Sequence, residues 1–259
     1  MTTNEERTAT KQLGHSPSAR PFDRKPFEPL AGTDFTDEPL EVKLGMQDDA
    51  ALNVPAELVS TFPDPDRVDA RVLDLGCGAG DSQSVCERLG FDWIGIDIDE
   101  TAGASALADA HAIPFADESF DLVLSTKVLQ FSPTPARFLR EVRRVLRSDG
   151  TFAGSVAFLE QFHDTYYHYT ALGLERRLID AGLRPGRISP GWEGLIAQSR
   201  MTLFPRLPDD IAMCLMLPVY LLHVLWYAGG RTVLRRDAAS ERYRRYMSAG
   251  EFYFTASPV

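Results

Sequence analysis

Short apolar runs alternate with amphipathic stretches between Arg71 and Ala181, and this alternation is the main structural signal in the chain. The apolar runs predict strands, one of them short, at 71–75, 93–96, 104–108, 121–125 and 151–158. The amphipathic stretches predict helices at 81–89, 135–146 and 170–181, and glycines at 90 and 182 end the first and the last of these. Strands that alternate with helices predict a parallel sheet with helices on both faces.

The segments outside this alternation differ in composition. Residues 1–38 are polar, with prolines at positions 17, 21, 26 and 29, and they predict a flexible N-terminal extension. Residues 39–200 are expected to hold the α/β core, beginning with a helix at 55–61. Residues 201–248 predict an apolar helical insertion, and residues 249–259 predict the last strand of the core.

Charge and cysteine content narrow the classes of partner and compartment. The 259-residue chain has a net charge of −10, which disfavours nucleic-acid binding because phosphate recognition usually needs a basic face. The three cysteines are odd in number and match no zinc spacing, which favours a reducing compartment and predicts no metal site. The N-terminus is polar and lacks the apolar segment of a signal peptide. A cytoplasmic location is therefore expected.

The most specific local signal is the segment 72–80, which reads Val-Leu-Asp-Leu-Gly-Cys-Gly-Ala-Gly. Glycines at 76, 78 and 80 follow an apolar strand and precede a predicted helix. Such a loop turns tightly and lets a ligand approach the backbone, which is typical of nucleotide cradles. The spacing differs from the dinucleotide fingerprint, in which the third glycine comes one residue later.

This segment resembles motif I of class I S-adenosylmethionine-dependent methyltransferases, in the subgroup with small-molecule acceptors. Three later segments resemble further motifs of that family in the same order: Asp109–Phe115, Phe120–Ser125, and the helix ending at Leu146 with the turn Asp149-Gly150. The resemblance covers about residues 70–160. It implies a Rossmann-like, mostly parallel seven-stranded sheet whose last strand is antiparallel, and S-adenosyl-L-methionine as the cofactor.

The resemblance also implies a set of cofactor-binding residues. The loop would hold the methionine and ribose portion, the tip of the second strand would hold the ribose, and Asp109 would contact the adenine while small Ala110 leaves room for the ring. The residues implied are Asp74, Gly76, Cys77, Gly78, Gly80, Asp97, Ile98, Asp109 and Ala110. For Asp97 the alternative is a turn or helix-capping acid, and for Cys77 the main interpretation is a small loop residue rather than a nucleophile.

The chain departs from the family in the interval between Asp97 and Asp109, which is only twelve residues. Relatives place a helix and a strand there, so the helix in this chain must shrink to about a turn. We expect the crevice beside the glycine loop to be more open on this side, or to be covered by the N-terminal extension.

Candidate acceptor-side residues follow the strands at 121–125 and 151–158. The segment 160–170 contains His163, His168 and several aromatic residues at the carboxyl end of a strand, where active sites of open α/β sheets lie. Either histidine is a candidate general base, because imidazole titrates near neutral pH. Lys127 is a third candidate catalytic residue. The alternative is a solvated loop whose aromatic residues only pack, with Lys127 as a surface lysine.

A second distinctive segment is the apolar run at 211–228, which is followed by six arginines between 231 and 245. A single membrane crossing would leave the last strand on the wrong side of the bilayer, so we reject it. A buried cap, a lid over an apolar acceptor and a homodimer interface are the first set of alternatives. Peripheral membrane contact through 211–228 is the other.

Together these patterns predict an enzyme that transfers a methyl group from S-adenosylmethionine to a small-molecule, glycan or lipid-linked acceptor. Two alternatives remain. One is a catalytically silent methyltransferase-like protein that binds the cofactor or a partner. The other is a membrane-docked accessory protein in which the apolar helix is the main functional element.

Overall fold

A computed structural model describes residues 34–35, 54–65, 67–100, 103–159, 165–191, 194, 207–233 and 241–259. These residues form one sheet with the strands β1 Asp34–Phe35, β2 Arg71–Leu75, β3 Asp92–Asp97, β4 Ala106–Leu107, β5 Phe120–Thr126, β6 Leu146–Ala157, β7 Leu183–Pro190 and β8 Glu251–Pro258. The helices are α1 Ala56–Val59, α2 Gln83–Arg88, α3 Pro135–Val145, α4 Ala171–Asp180, α5 Asp209–Val233 and α6 Glu241–Ser248, with a short 3-10 helix at Leu129–Phe131.

The strand order is β1-β7-β8-β6-β5-β2-β3-β4. Every neighbouring pair is parallel except the two that involve β8, which runs antiparallel to both β6 and β7. The predicted mostly parallel sheet with an antiparallel last strand is confirmed, and the two-residue β1 adds an eighth strand. As a result, β2, β3, β5, β6 and β7 all end at one edge, which we call the carboxyl edge, and β8 begins there.

Helices cover both faces of the sheet. On one face α3 and α4 pack on the sheet through residues such as Phe138 and Leu174, and Tyr246 of α6 joins this core. On the other face α1 and α2 contribute Leu58 and Val85. Burying each large apolar side chain contributes roughly 1.5–3 kcal/mol, so these two cores hold the strand ends of the carboxyl edge in place.

The start of β6 differs from the prediction. The sequence predicts a turn at Asp149-Gly150, but the backbone becomes extended at Leu146, directly after α3. Pairing with β5 then shifts from Phe120–Leu146 to Leu122–Thr151, so residues 147–150 form an irregular bulge inside the strand. The turn-forming residues therefore bend the strand instead of starting it.

The sequence of β7 does not predict a strand, because its eight residues contain two prolines and a glycine, which disfavour strands. The structure accommodates Pro185 at an irregularity in the pairing with β8 and Pro190 at the strand end. β1 pairs with the outer side of β7, at the edge of the sheet opposite β3 and β4. Asp34 and Phe35 therefore do not cover the crevice beside β3.

The helices α5 and α6 lie in the described part of the chain between β7 and β8. α6 packs on the sheet, and its Tyr246 hydroxyl donates to the Ile188 carbonyl at 2.5 Å. In α5, Ala212 and Met216 are buried, whereas most of the large apolar side chains are exposed, so this helix is not a buried cap. Across the described part of the chain, no helix combines the length and the apolar character needed to cross a membrane.

Candidate cofactor and acceptor site

The glycine loop is anchored to the end of β3. The backbone N–H groups of Gly76 and Cys77 both donate to the Ile96 carbonyl, at 2.8 and 3.2 Å. The next turn is held by the Gly78 N–H, which donates to a carboxylate oxygen of Asp97 at 2.9 Å. The sequence-predicted loop and its predicted acid are thus joined directly.

Two glycines of the loop have different surroundings. All three loop glycines have positive φ, a conformation that side-chain-bearing residues rarely adopt. A Cβ on Gly76 would lie 2.5 Å from a methyl carbon of Val128, so the protein itself requires glycine there. A Cβ on Gly78 would point into open space. The Cα of Gly78 therefore faces open space, and a ligand can approach it closely.

Asp74 lies buried beneath the loop, at the end of β2. Its carboxylate accepts a hydrogen bond from the Ser82 hydroxyl, which in turn accepts one from the Trp93 indole N–H at 2.9 Å. Burial raises the pKa of Asp74 to about 6, although both hydrogen-bond partners act to lower it. A cation bound near Asp74 would therefore stabilise its ionised carboxylate.

Cys77 does not have the environment of a nucleophile. Burial and the negative charges of Asp74 and Asp97 raise the pKa of its thiol to about 12, so the thiolate is scarce at neutral pH. A Cβ on Gly95 would lie 2.8 Å from the Cys77 sulfur. The side chain therefore packs against β3, consistent with its interpretation as a small loop residue.

Asp97 holds the backbone on both sides of the crevice. One carboxylate oxygen accepts from Gly78 N–H, and the other accepts from Asp99 N–H at 3.0 Å. Asp97 is half-buried, and the next residue, Ile98, is strongly exposed. Each carboxylate oxygen has a further lone pair, so both can also accept a ligand hydroxyl.

The connection from β3 to β4 packs against the glycine loop. The Gly103 N–H donates to the Gly78 carbonyl at 2.6 Å, and Ser105 N–H donates to the Gly95 carbonyl at 2.8 Å. A Cβ on Gly103 would lie 2.4 Å from the Ala79 carbonyl oxygen, which explains how the connection can approach so closely. The described residues between Asp97 and Asp109 contain no helix, where the sequence predicts one shortened to about a turn.

Asp109 is positioned by its neighbours. One carboxylate oxygen accepts from the His111 backbone N–H at 2.8 Å and lies 2.6 Å from His111 Nδ1. These hydrogen bonds lower the pKa of Asp109. The other ring nitrogen of His111 lies 2.6 Å from the Ser132 hydroxyl, so His111 links Asp109 to the segment before α3. Ala110 is half-buried and packs on the core.

Lys127 occupies an unusual backbone position at the carboxyl edge. Its φ is +58°, which is uncommon for a residue with a side chain. The turn carries the chain from β5 toward the 3-10 helix and brings Val128 against Gly76. Positive φ at a non-glycine residue is one of the forms of strain that cluster at functional sites.

The Lys127 side chain faces a carboxylate that the sequence analysis did not select. Lys127 Nζ lies 3.9 Å from Glu251 Oε2, and Glu251 is 2% exposed. The other oxygen of Glu251 accepts from the Tyr253 hydroxyl at 3.1 Å. Among the described residues, the buried hydroxyls of Thr126 and Ser155 have no hydrogen-bond partner. The carboxyl edge between β5, β6 and β8 is therefore polar.

The segment 165–170 lies against the same edge. The N–H groups of Tyr166 and Tyr167 donate to the Gln130 carbonyl at 2.9 and 3.2 Å, and Tyr169 N–H donates to Ala157 at 2.8 Å. His168 is exposed, and its Nδ1 donates to the Phe158 carbonyl at 2.7 Å. This bond leaves Nε2 of a neutral imidazole as the proton acceptor. His163 lies outside the described residues.

Comparisons with known proteins agree with this geometry. Residues 73–154, which include the glycine loop, Asp97 and Asp109, match the family model described as a methyltransferase domain. With the strand order of the sheet, this match makes the chain similar to class I methyltransferases over residues 73–154. The chain spans about half the length of the curated relatives it matches, for example 58% and 48% of two of them.

Two solved structures are similar to more of the chain than residues 73–154. The fatty-acid O-methyltransferase of Mycolicibacterium smegmatis is 32% identical over 139 residues, which are 48% of each protein. A chain from the complex of the Haloferax volcanii Trm112 methyltransferase activator has a TM-score of 0.52 at 19% identity, covering 78% of this chain and 86% of that one. Geranyl diphosphate methyltransferase has a TM-score of 0.51 at 13% identity, with 78% and 76% covered. The two structures show a shared fold.

Proposed function

We propose that this chain transfers the methyl group of S-adenosylmethionine to a small-molecule acceptor. The observation that carries the proposal is the open space at the Cα of Gly78, in a loop that follows the buried Asp74 and is bonded to the half-buried Asp97. When bound, the cofactor supplies an electrophilic methyl group, which passes to an acceptor nucleophile while sulfur keeps the electron pair of the broken bond.

The residues of the cradle fit this cofactor. Asp97 would accept the two ribose hydroxyls with its remaining lone pairs, and Asp109 would accept from the adenine amine beside the small Ala110. Exposed Ile98 offers an apolar contact for the adenine ring. The carboxylate of Asp74 places negative charge beneath the loop, which favours a cationic ligand.

Asp97→Asn tests the ribose contact. An asparagine has one acceptor oxygen, so it can keep the Gly78 N–H bond but presents an NH₂ donor where the second oxygen was. We expect S-adenosylhomocysteine to bind about 10–100-fold more weakly, which corresponds to one or two lost hydrogen bonds to a charged group. Isothermal titration calorimetry measures this affinity. Asp92→Asn, an exposed acid at the other end of β3, is the control, and an equal loss in both variants would contradict the assignment.

For the acceptor we propose a molecule with a carboxylate or hydroxyl group on an apolar body. Lys127 and Glu251 supply polar contacts at the carboxyl edge, and α5 supplies exposed apolar side chains. The similarity to a fatty-acid O-methyltransferase supports an acceptor of this class. A glycan or a lipid-linked acceptor is the alternative that the sequence analysis leaves open.

The two acceptor groups need different help. A carboxylate has no proton to lose, so Lys127 would bind and orient it. A hydroxyl must lose its proton, and His168 through Nε2, Glu251 or His163 would take it. In both cases the protein's main contribution is to align the nucleophile and exclude water.

Release of S-adenosylhomocysteine from S-adenosylmethionine in the presence of long-chain fatty acids, fatty alcohols and isoprenoid alcohols tests the proposal. We expect turnover with at least one of these classes. Lys127→Met is expected to raise KM for a carboxylate acceptor at least tenfold, because the positive charge is lost, and to leave the affinity for S-adenosylhomocysteine unchanged. Cofactor binding without turnover on any acceptor would favour the catalytically silent alternative, and an unchanged KM would remove Lys127 from the acceptor site.

A further inference from the structure

The outer face of α5 is apolar and exposed over most of the helix. The exposed side chains include Ile211, Leu215, Leu221, Leu222, Leu225 and Trp226. Leu222, Leu225 and Trp226 are 68%, 65% and 76% exposed, far above the level expected for a helix that packs in a core. No charged residue occurs between Ile211 and Gly230. Contiguous apolar patches of this kind mark interaction sites on proteins.

The positions of these residues leave a wide face for a partner. Ala212 and Met216 are buried, and Tyr220, His223 and Val224 continue the same side of the helix as half-buried residues. At 100° per residue, this buried side takes up roughly a third of the helix circumference. The exposed apolar residues occupy the remainder.

The charge near the carboxyl end of α5 favours an anionic partner. Arg231 lies in the last turn of the helix, and four further arginines other than the buried Arg244 follow by position 245, against only two acids. The stretch 231–245, with the buried Arg244 included, has a net charge of +4 within a chain whose net charge is −10. Apolar side chains with an exposed tryptophan and adjacent arginines are the composition of interfacial helices on anionic lipid.

We infer that α5 docks on the surface of an anionic lipid bilayer, with its outer face in the interface and the chain remaining on one side. Both neighbours of the insertion meet the sheet at the carboxyl edge, since β7 ends there at Pro190 and β8 begins there at Glu251. Docking through α5 would hold the chain at a surface where an amphiphilic acceptor is concentrated.

Vesicle flotation of the full chain tests this inference without cofactor or acceptor, so its outcome is independent of the proposed methyl transfer. With vesicles of equimolar phosphatidylcholine and phosphatidylglycerol we expect the protein to float, and with phosphatidylcholine alone we expect at least tenfold less binding. Raising NaCl from about 0.1 M to about 0.5 M should weaken binding to the anionic vesicles, because salt screens the arginines.

The double variant Leu222→Gln with Leu225→Gln should bind anionic vesicles at least tenfold more weakly than the wild type, because less apolar area enters the interface. The matched control is Val68→Gln with Leu172→Gln, which changes exposed apolar residues elsewhere and should bind like the wild type. Absence of flotation by the wild type, or equal loss in the two double variants, would overturn the inference. So would a dimer seen by light scattering that the α5 variant disrupts, if the wild type does not float.

Discussion

Gly78→Val is expected to abolish binding of S-adenosylmethionine while leaving the fold intact. A Cβ at this position meets no protein atom within 4 Å, so the valine side chain would project into the space that a ligand needs. The loss should exceed a hundredfold in Kd, because a side chain would replace the closest backbone approach of the ligand. Titration calorimetry with S-adenosylhomocysteine measures this effect, and circular dichroism checks the fold.

Gly182→Val separates ligand exclusion from backbone strain. Gly182 also has a positive φ and also faces open space, but it follows α4, at the end of the strands away from the crevice. Both substitutions place a β-branched residue in the left-handed region and should cost a similar 1–2 kcal/mol or so of stability. Only Gly78→Val should lose the ligand. Retained tight binding by Gly78→Val would remove this loop from the cofactor site.

Asp74→Asn is expected to change how stability depends on pH. Burial raises the pKa of Asp74 in the folded protein to about 6, above the value of 3.8 for an ordinary aspartate. A raised pKa means that the folded state holds the proton of Asp74 more tightly than the unfolded state does. Proton binding to Asp74 therefore stabilises the folded protein fully below about pH 3.8, and this stabilisation is lost as the pH rises through 6. Asparagine does not ionise and keeps a constant contribution.

The stability of the wild type relative to Asp74→Asn should therefore fall with rising pH, by on the order of 3 kcal/mol in total. Roughly 1 kcal/mol of this falls between pH 5 and pH 8, where urea unfolding measures it directly. Asp92→Asn is the control, since its carboxylate is exposed at the other end of β3. A difference between wild type and Asp74→Asn that does not change over this range would show that Asp74 is not buried as described.

The same substitution bears on the cofactor. A bound cation favours the charged form of Asp74, so the affinity of the wild type for S-adenosylmethionine should increase severalfold from pH 5 to pH 7. Asp74→Asn should bind more weakly at pH 7 and lack this increase. An identical pH dependence in the two proteins would place the cation away from this carboxylate.

The cofactor cradle could be predicted from sequence because its determinants are local. The apolar strand before Gly76 and the strand that ends at Asp97 are read from short runs of residues, and parallel pairing brings their ends to one edge. The hydrogen bond between Gly78 N–H and Asp97 then follows from that pairing.

The acceptor edge depends on distant parts of the chain, and local patterns do not reveal it. Glu251 looks like an ordinary residue at the start of a strand, and only the antiparallel pairing of β8 with β6 brings it to Lys127. One available signal was an acid opening an otherwise apolar strand. The left-handed turn at Lys127 and the packing of Gly103 on the glycine loop are backbone features without a sequence signature.

Calorimetric titration of the wild-type chain with S-adenosylmethionine, with Gly78→Val and Gly182→Val in parallel, tests whether the glycine loop binds the cofactor. We expect one binding site per chain with Kd of about 100 μM or tighter in the wild type and in Gly182→Val, and no measurable binding in Gly78→Val. Absence of binding to the wild type, or equal binding by the wild type and Gly78→Val, would contradict it.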